Sequence, residues 1–230
     1  MITAVSLGSV CQVKHQIDRF AGSVIASPFD WLVTPFAGLL EILKARGQGL
    51  SESVSAINDT ARCDRFGVLL PHDFHIVNGK AEITSWQITQ AKRKYLHKWG
   101  RFEAACRSSE EIVFVRFGGI GIPTLIWPYV MECEPITGED LNNLAGILKY
   151  LFPSLRFSIA WVYHPHLIPV RKVDNLSNSI IRIPLSVPNV KHKGIDAWTG
   201  SDQQWDYVFE TCKITKKEST IDTIIRQTFV

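Results

Sequence analysis

The stretch EIVFVRF, residues 111–117, is typical of a β-strand that is buried on both faces. Five of its seven residues are apolar, and they do not alternate with polar residues as they would in a half-exposed strand. Similar apolar stretches occur at residues 2–6, 156–164 and 179–185. Strands of this kind, separated by helical segments, favour a largely parallel sheet with helices on both faces.

Helical segments separate these strands along the chain. Ser9 is the expected N-cap of the first helix, and Thr137 and Asp140 have the spacing of a capping box. The segments predicted to be helical are residues 10–20, 36–45, 87–106, 137–151 and 202–212.

The remaining segments complete the predicted architecture. Short strands are expected at residues 66–70 and 82–86, and an apolar tail at residues 221–229 is expected to pack on the body. We therefore predict a single three-layer α/β domain over residues 1–230, with a lid or insertion around residues 51–86. A papain-like α+β fold is the alternative.

Composition limits the partners and the compartment. The net charge of +3, without a consistent basic and aromatic stripe, argues against a nucleic-acid partner. Five cysteines, an odd number without a CxxC pair, argue against a disulfide framework and a zinc knuckle and fit a reducing compartment. No basic and apolar leader and no apolar run of about 18 residues is visible, so we expect a cytoplasmic protein without a membrane span. The oligomeric state is left open.

Cys11 is the first candidate for chemistry, because it follows the turn SLGS at the front of a predicted helix. The positive end of a helix dipole lowers the pKa of a thiol and favours the nucleophilic thiolate. Gly8 allows a sharp turn, so the amides of residues 8–11, with Ser6 and Ser9 beside them, are candidates for an oxyanion hole. The alternative is a buried structural cysteine.

A nucleophilic thiol needs a base, and His72 is the leading candidate because it follows an apolar strand and precedes an acid. In an extended segment Asp73 would point away from His72, so Asp30 is an alternative partner for the imidazole. The other histidines considered are His75, His164 and His166.

The segment SPFDW, residues 27–31, places Asp30 between two aromatic residues. Asp30 is a candidate catalytic acid or, alternatively, the cap of a backbone turn, and Trp31 is a candidate substrate contact. Arg116 lies inside an apolar strand, and a buried arginine normally has a partner. Asp30, Asp73 or an anionic group of the substrate are the partners considered.

Three other motifs are weaker. The glycine-rich residues 118–123 lack the spacing of a dinucleotide site or a P-loop. The two histidines of HPH, residues 164–166, have no further acid or histidine at a spacing that would complete a metal site. We expect no metal and no required cofactor. The basic segment at residues 91–102 is interpreted as a solvated helix face, with an anion site using Arg93 or Arg101 as the alternative.

The motifs SLGSVC, SPFDWL, HDF and VFVRF, in this order, resemble a bacterial family of unknown function labelled papain-like cysteine peptidase. The resemblance extends from Ser6 to about Trp205. It implies Cys11 as the nucleophile, His72 as the base, and Asp30 or Asp73 in the third role. The label does not by itself specify peptide cleavage. In the basic segment Lys94 stands beside Arg93, where the family pattern has paired arginines.

A fainter likeness is to capsule-polysaccharide acyltransferases with a Gly-Asn-Cys-Gln turn after the first strand. The segment GSVCQ, residues 8–12, is similar but has one more residue before the cysteine. This likeness implies a role in polysaccharide biosynthesis with a CoA thioester as acyl donor.

These observations predict a thiol-dependent acyl-transfer enzyme, either a hydrolase or an acyltransferase, acting on a small-molecule, glycan or peptide substrate. The alternative is a non-enzymatic module that binds an anionic glycan, phosphate or nucleotide group at the same turn. A third interpretation is a structural or interaction protein.

Overall fold

A computed structural model describes residues 2–22, 25–118, 136–165, 175–185 and 199–217. Strands and helices are interspersed along the chain, and the middle section consists of short antiparallel strands. The strands are β1 (Thr3–Ser6), β2 (Val54–Ile57), β3 (Thr60–Cys63), β4 (Val68–Leu70), β5 (Ile76–Val77), β6 (Lys80–Ala81), β7 (Glu111–Gly118), β8 (Arg156–Tyr163) and β9 (Ile180–Pro184). The helices are α1 (Cys11–Ala21), α2 (Phe36–Lys44), α3 (Ser85–Ser108), α4 (Gly138–Leu151) and α5 (Asp202–Thr211).

The central sheet has the strand order β1-β7-β8-β9, and all of its neighbouring strands are parallel. Successive residues of β7 enter two different cores. Phe114 packs in the core that contains residues of α2, α3 and α4, whereas Val113 and Val115 pack with residues of α1 and α5. The sheet is therefore covered by helices on both faces, and the predicted three-layer α/β class is confirmed.

The N-cap residues predicted from the sequence were correct for one helix and wrong for another. The capping box at Thr137 is confirmed, because its hydroxyl accepts the amide of Asp140 and the Asp140 carboxylate accepts the amide of Thr137. The N-cap prediction for Ser9 is wrong. Helix α1 begins one residue later, with Val10 at the N-cap position, because the Ser9 carbonyl accepts a hydrogen bond from the amide of Thr34 instead.

The predicted strand at residues 82–86 is also wrong, because this segment leads into helix α3. Thr84 is the N-cap, its hydroxyl accepts from the Gln87 amide, and the Gln87 side chain accepts from the Thr84 amide. This Thr-x-x-Gln capping box was visible in the sequence. Its reciprocal hydrogen bonds favour the helix over an extended conformation.

The middle section contains two small antiparallel sheets, with the orders β2-β3-β4 and β5-β6. Strand β4 lies within the strand predicted at residues 66–70. A single bridge between Val33 and Leu69 connects β4 to the loop before α2. The description of residues 51–86 as a lid or insertion remains a prediction.

Among the described residues, no helix combines the length and the apolar character needed to cross a membrane. The apolar tail at residues 221–229, His166 and all but the first residue of the glycine-rich segment 118–123 lie outside the described residues.

Candidate active site

Cys11 and His72 lie beside each other at the edge of the sheet where β1 ends. Cys11 is the first residue of α1, and His72 lies in the turn that follows β4. The Cys11 Sγ atom is 3.7 Å from His72 Nε2. A thiol donates weakly to an imidazole nitrogen at this separation, and such hydrogen bonds commonly tighten when a substrate binds. The structure thus brings together the two side chains that the sequence proposed as nucleophile and base.

The loop from Ser27 to Thr34 contacts both the turn that precedes Cys11 and the side chain of His72. The Thr34 amide donates to the Ser9 carbonyl over 2.7 Å, which ties the loop to the Cys11 turn. On the other side, the Trp31 indole meets the His72 ring edge to face, with 6.1 Å between the ring centroids. Trp31 therefore packs against the exposed imidazole.

In the turn before Cys11, one of the backbone amides predicted to bind an oxyanion donates instead to a side chain of the same turn. Gly8 has a φ of 76°, a left-handed conformation that glycine adopts without strain. Its amide donates to Ser6 Oγ over 3.1 Å, so the Gly8 amide is not available to bind an oxyanion in this conformation. The amides of Ser9 and Val10 donate to no other residue in the part of the chain described. They are the donors that remain available.

Burial raises the pKa of the Cys11 thiol to about 11, although its own backbone amide and Lys98 act in the opposite direction. The shift is opposite to the lowering expected for a thiol at the start of a helix, because burial, which removes solvation from the thiolate, is the largest effect on the Cys11 pKa. Cys11 therefore holds its proton at neutral pH, and the thiolate forms only if a neighbouring base accepts that proton. His72 Nε2 is positioned to accept it.

Asp30 is almost fully buried, at 1% exposure. Its Oδ2 atom accepts the Ser27 amide over 2.8 Å and lies 3.8 Å from Lys14 Nζ. Burial raises the pKa of the carboxyl to about 6, against the opposing effect of Lys14. The contact with Ser27 fits the interpretation of Asp30 as the cap of a backbone turn.

Asp73 is held by helix α3. One carboxylate oxygen lies 2.5 Å from Lys94 Nζ and the other accepts the Tyr95 hydroxyl over 2.5 Å, and the Asp73 side chain is only 4% exposed. In the described part of the chain, neither Asp73 nor Asp30 is hydrogen bonded to His72. Among the described residues, the arrangement is therefore a Cys-His pair without a carboxylate hydrogen bonded to the imidazole.

Arg116 is fully buried beneath the site. Its guanidinium donates to the carbonyls of Leu7, over 3.0 Å, and Thr34, over 2.8 Å, and it lies over the Phe36 ring. These bonds connect β7 to both loops of the site. Since Arg116 is 0% exposed, its contribution in this conformation is to hold these loops, not to touch a substrate.

Sequence reasoning missed Tyr95 and Lys98, which lie on the site-facing flank of α3. The Lys98 ammonium donates to the Asp30 carbonyl over 3.1 Å. The signal in the sequence was that Tyr95 has the helical spacing of the other buried residues of α3. The residues that Tyr95 and Lys98 bind are distant in sequence, so the sequence did not reveal these contacts.

The two arginines of the basic segment, Arg93 and Arg101, lie elsewhere on α3. Arg101 is exposed, and Arg93 borders a wide, shallow cavity of about 530 Å³ that does not include Cys11 or His72. The residues that line this cavity are Glu52, Ile88, Thr89, Lys92, Arg93 and Leu96. No group of three or more potential metal ligands clusters among the described residues.

An α/β fold with a thiol at a strand-to-helix turn and an imidazole beside it defines a candidate cysteine-histidine enzyme. Comparison with protein families matches residues 2–121, just over half of the chain, to the family described as "Putative papain-like cysteine peptidase (DUF1796)". The chain belongs to this family, as its motifs predicted. The matched region contains Cys11, Asp30, His72, Asp73 and Arg116. No curated protein and no solved structure matches the chain in the corresponding comparisons.

Proposed function

We propose that this protein is a thiol-dependent acyl-transfer enzyme in which Cys11 is the nucleophile and His72 is the general base. The observation that carries the proposal is the 3.7 Å separation of Cys11 Sγ and His72 Nε2, between residues 61 positions apart in sequence. Membership in a family described as cysteine peptidases supports the same assignment. The peptide bond itself is one of several acyl substrates that the pair is able to attack.

In the first step, His72 Nε2 takes the thiol proton while the Cys11 sulfur attacks a carbonyl carbon. The imidazole must carry its other proton on Nδ1 for Nε2 to accept. A C–S bond forms, and the carbonyl electron pair moves onto oxygen. When the carbonyl re-forms, the bond to the leaving group breaks and that group takes the proton from His72. The product of this step is a thioester on Cys11.

In the second step, an acceptor attacks the thioester carbonyl carbon while His72 removes the proton of the acceptor. The C–S bond then breaks, and the departing Cys11 sulfur takes that proton back from His72. Water as the acceptor makes the enzyme a hydrolase, and a hydroxyl or an amine makes it an acyltransferase. A small molecule, a glycan and a peptide are the substrate classes we propose. The reaction needs no bound cofactor, and a CoA thioester is the acyl donor we propose for the acyltransferase case.

The negative oxygen of the tetrahedral intermediate needs donors near the sulfur. The amides of Ser9 and Val10, with the Cys11 amide at the start of α1, are the donors we propose. Gly8 contributes by allowing the turn rather than by donating, since its amide is bonded to Ser6.

The high pKa of the thiol makes His72 necessary near neutral pH. A group whose pKa is about 11 is almost entirely protonated at pH 7, so a thiol without a base reacts slowly. We therefore expect iodoacetamide to alkylate Cys11 of the wild type at neutral pH, and to alkylate it far more slowly after His72→Ala.

The experiment compares wild type, Cys11→Ala, His72→Ala and His75→Ala, where the exposed His75 three residues away is the matched control. Alkylation at Cys11 is followed by peptide mass spectrometry, and an activated phenyl ester tests for an acetyl group on Cys11. We expect wild type and His75→Ala to react, and the other two variants to fail. Equal rates for wild type and His72→Ala would contradict the proposal.

A second candidate function is favoured by the protonated, half-buried thiol. If Cys11 only packs at the turn, the free amides of Ser9 and Val10 form a site for an anionic glycan, phosphate or nucleotide group. Calorimetric titration with inorganic phosphate distinguishes the two functions. Binding that survives Cys11→Ala, together with no acylation of the wild type, supports the binding module.

A further inference from the structure

We infer that helix α3 positions His72 through two contacts, one from Tyr95 and Lys94 to Asp73 and the other from Lys98 to the Asp30 carbonyl. We call these contacts the α3 clamp. This inference rests on the proposed function, because it concerns how the base of that reaction is oriented. It assigns to a helix the role that a hydrogen-bonded carboxylate has in other Cys-His enzymes.

The first contact of the α3 clamp fixes the residue after His72. The buried Tyr95 hydroxyl donates to one oxygen of Asp73, and Lys94 binds the other, both at 2.5 Å. Both oxygens of the carboxylate are engaged, so the side chain has little freedom. Because Asp73 adjoins His72 in a tight turn, fixing its carboxylate also fixes the backbone that carries the imidazole.

The second contact fixes the residue before Trp31. Lys98 Nζ donates to the Asp30 carbonyl over 3.1 Å, and the next residue, Trp31, packs edge to face on His72. Trp31 has a φ of 66°, in the left-handed region that bulky residues seldom adopt. A backbone in this conformation persists only where neighbouring contacts hold it, and Lys98 supplies such a contact.

The clamp side chains form one continuous group. Lys94 and Lys98 are one helical turn apart, and each ammonium lies 5.4 Å from the centroid of the Tyr95 ring between them. The two loops are therefore held from a single rigid helix face. The Lys98 charge also acts to lower the pKa of Cys11, which places this ammonium within electrostatic range of the thiol.

The α3 clamp is tested with variants that leave Cys11 and His72 unchanged. Tyr95→Phe removes only the hydroxyl, Lys98→Met removes only the charge and the donor, and Lys98→Arg keeps both. The matched control is Lys92→Gln on the same helix, which breaks an exposed ion pair with Glu52. The measurement is the rate constant for alkylation of Cys11 by iodoacetamide as a function of pH.

We expect Tyr95→Phe and Lys98→Met to lower the rate near neutral pH by roughly tenfold or more, because small misplacements of a base are costly. Lys98→Arg should recover most of the rate, and Lys92→Gln should stay within about twofold of wild type. Thermal unfolding checks that each variant is folded. If Tyr95→Phe is unfolded, Asp73→Asn tests the same contact from the loop side.

The outcomes separate the clamp from the proposed function. Equal rates for wild type and His72→Ala overturn the proposed function and leave the clamp nothing to position. A large His72 effect with unchanged rates in folded Tyr95→Phe and Lys98→Met overturns the clamp alone. A loss in Lys98→Met that Lys98→Arg does not recover also contradicts the clamp, since the arginine keeps the donor.

Discussion

Asp30 and Asp73 lie on the two loops beside the His72 ring, and their carboxyl groups are held in different ways. Asp73 has a partner on each oxygen, Lys94 on one and Tyr95 on the other. Asp30 has Ser27 and Lys14 near Oδ2, whereas its buried Oδ1 atom bonds to no other described residue. The comparison teaches that neighbouring contacts, not residue type, decide whether a buried carboxylate is anchored or destabilised.

The largest effect on stability is expected from Asp73→Ala. This change removes the carboxylate that Lys94 and Tyr95 both bind, and it leaves the buried Tyr95 hydroxyl without this acceptor. We expect the free energy of unfolding to fall by about 3 kcal/mol, as for the loss of a charged hydrogen-bond partner in a buried site. Urea unfolding measures the change. A loss below about 0.5 kcal/mol would show that the contact is not an anchor.

The pH dependence of stability tests the other side of the comparison. The folded-state pKa of Asp30, about 6, lies above the unfolded value near 4, so folding favours the protonated form. Its contribution to stability is fully present below about pH 4 and is lost as the pH rises through about 6. Asp30→Asn should remove this component, which amounts to roughly 2–3 kcal/mol.

The measurement is the difference in unfolding free energy between wild type and Asp30→Asn, taken from pH 4 to pH 7. Taking the difference cancels the other titrating groups that both proteins share. A difference that does not change with pH would show that Asp30 is anchored as Asp73 is, and the contrast would disappear.

A smaller effect is expected from Ser27→Ala on the Asp30 loop. The Ser27 hydroxyl donates to the Ser6 carbonyl over 2.7 Å and accepts the Phe29 amide, and Ser27 is fully buried. Its loss should cost about 1–2 kcal/mol in urea unfolding. If the cost approaches that of Asp73→Ala, the loop relies on its own turn rather than on α3.

The smallest effect is expected from Glu52→Ala. Its ion pair with Lys92 lies on the exposed flank of α3, where both side chains are 44% exposed. Exposed pairs contribute little, so the free energy of unfolding should change by no more than about 0.5 kcal/mol. A larger change would show that the two flanks of α3 are energetically alike, which contradicts the assignment of the α3 clamp to one of them.

Much of the fold was predictable because a strand buried on both faces requires a continuous apolar stretch, which is visible in the local sequence. The strands of the central sheet and the five helices were located from apolar stretches and periodicity, and the capping box at Thr137 was identified from spacing alone. The errors at Ser9 and at residues 82–86 occurred at element ends. There, hydrogen bonds to Thr34 and Gln87 decided the outcome.

By itself, the sequence determined the α/β class, the position of Cys11 at the start of a helix, and His72 as its leading partner. Only the tertiary structure decided how these residues are controlled. The thiol stays protonated, Asp73 binds α3, and Arg116 binds loop carbonyls, because burial and contacts between distant residues set each of these properties. Ionisation depends on the solvation and charges around a group in space, which no local pattern of residues records.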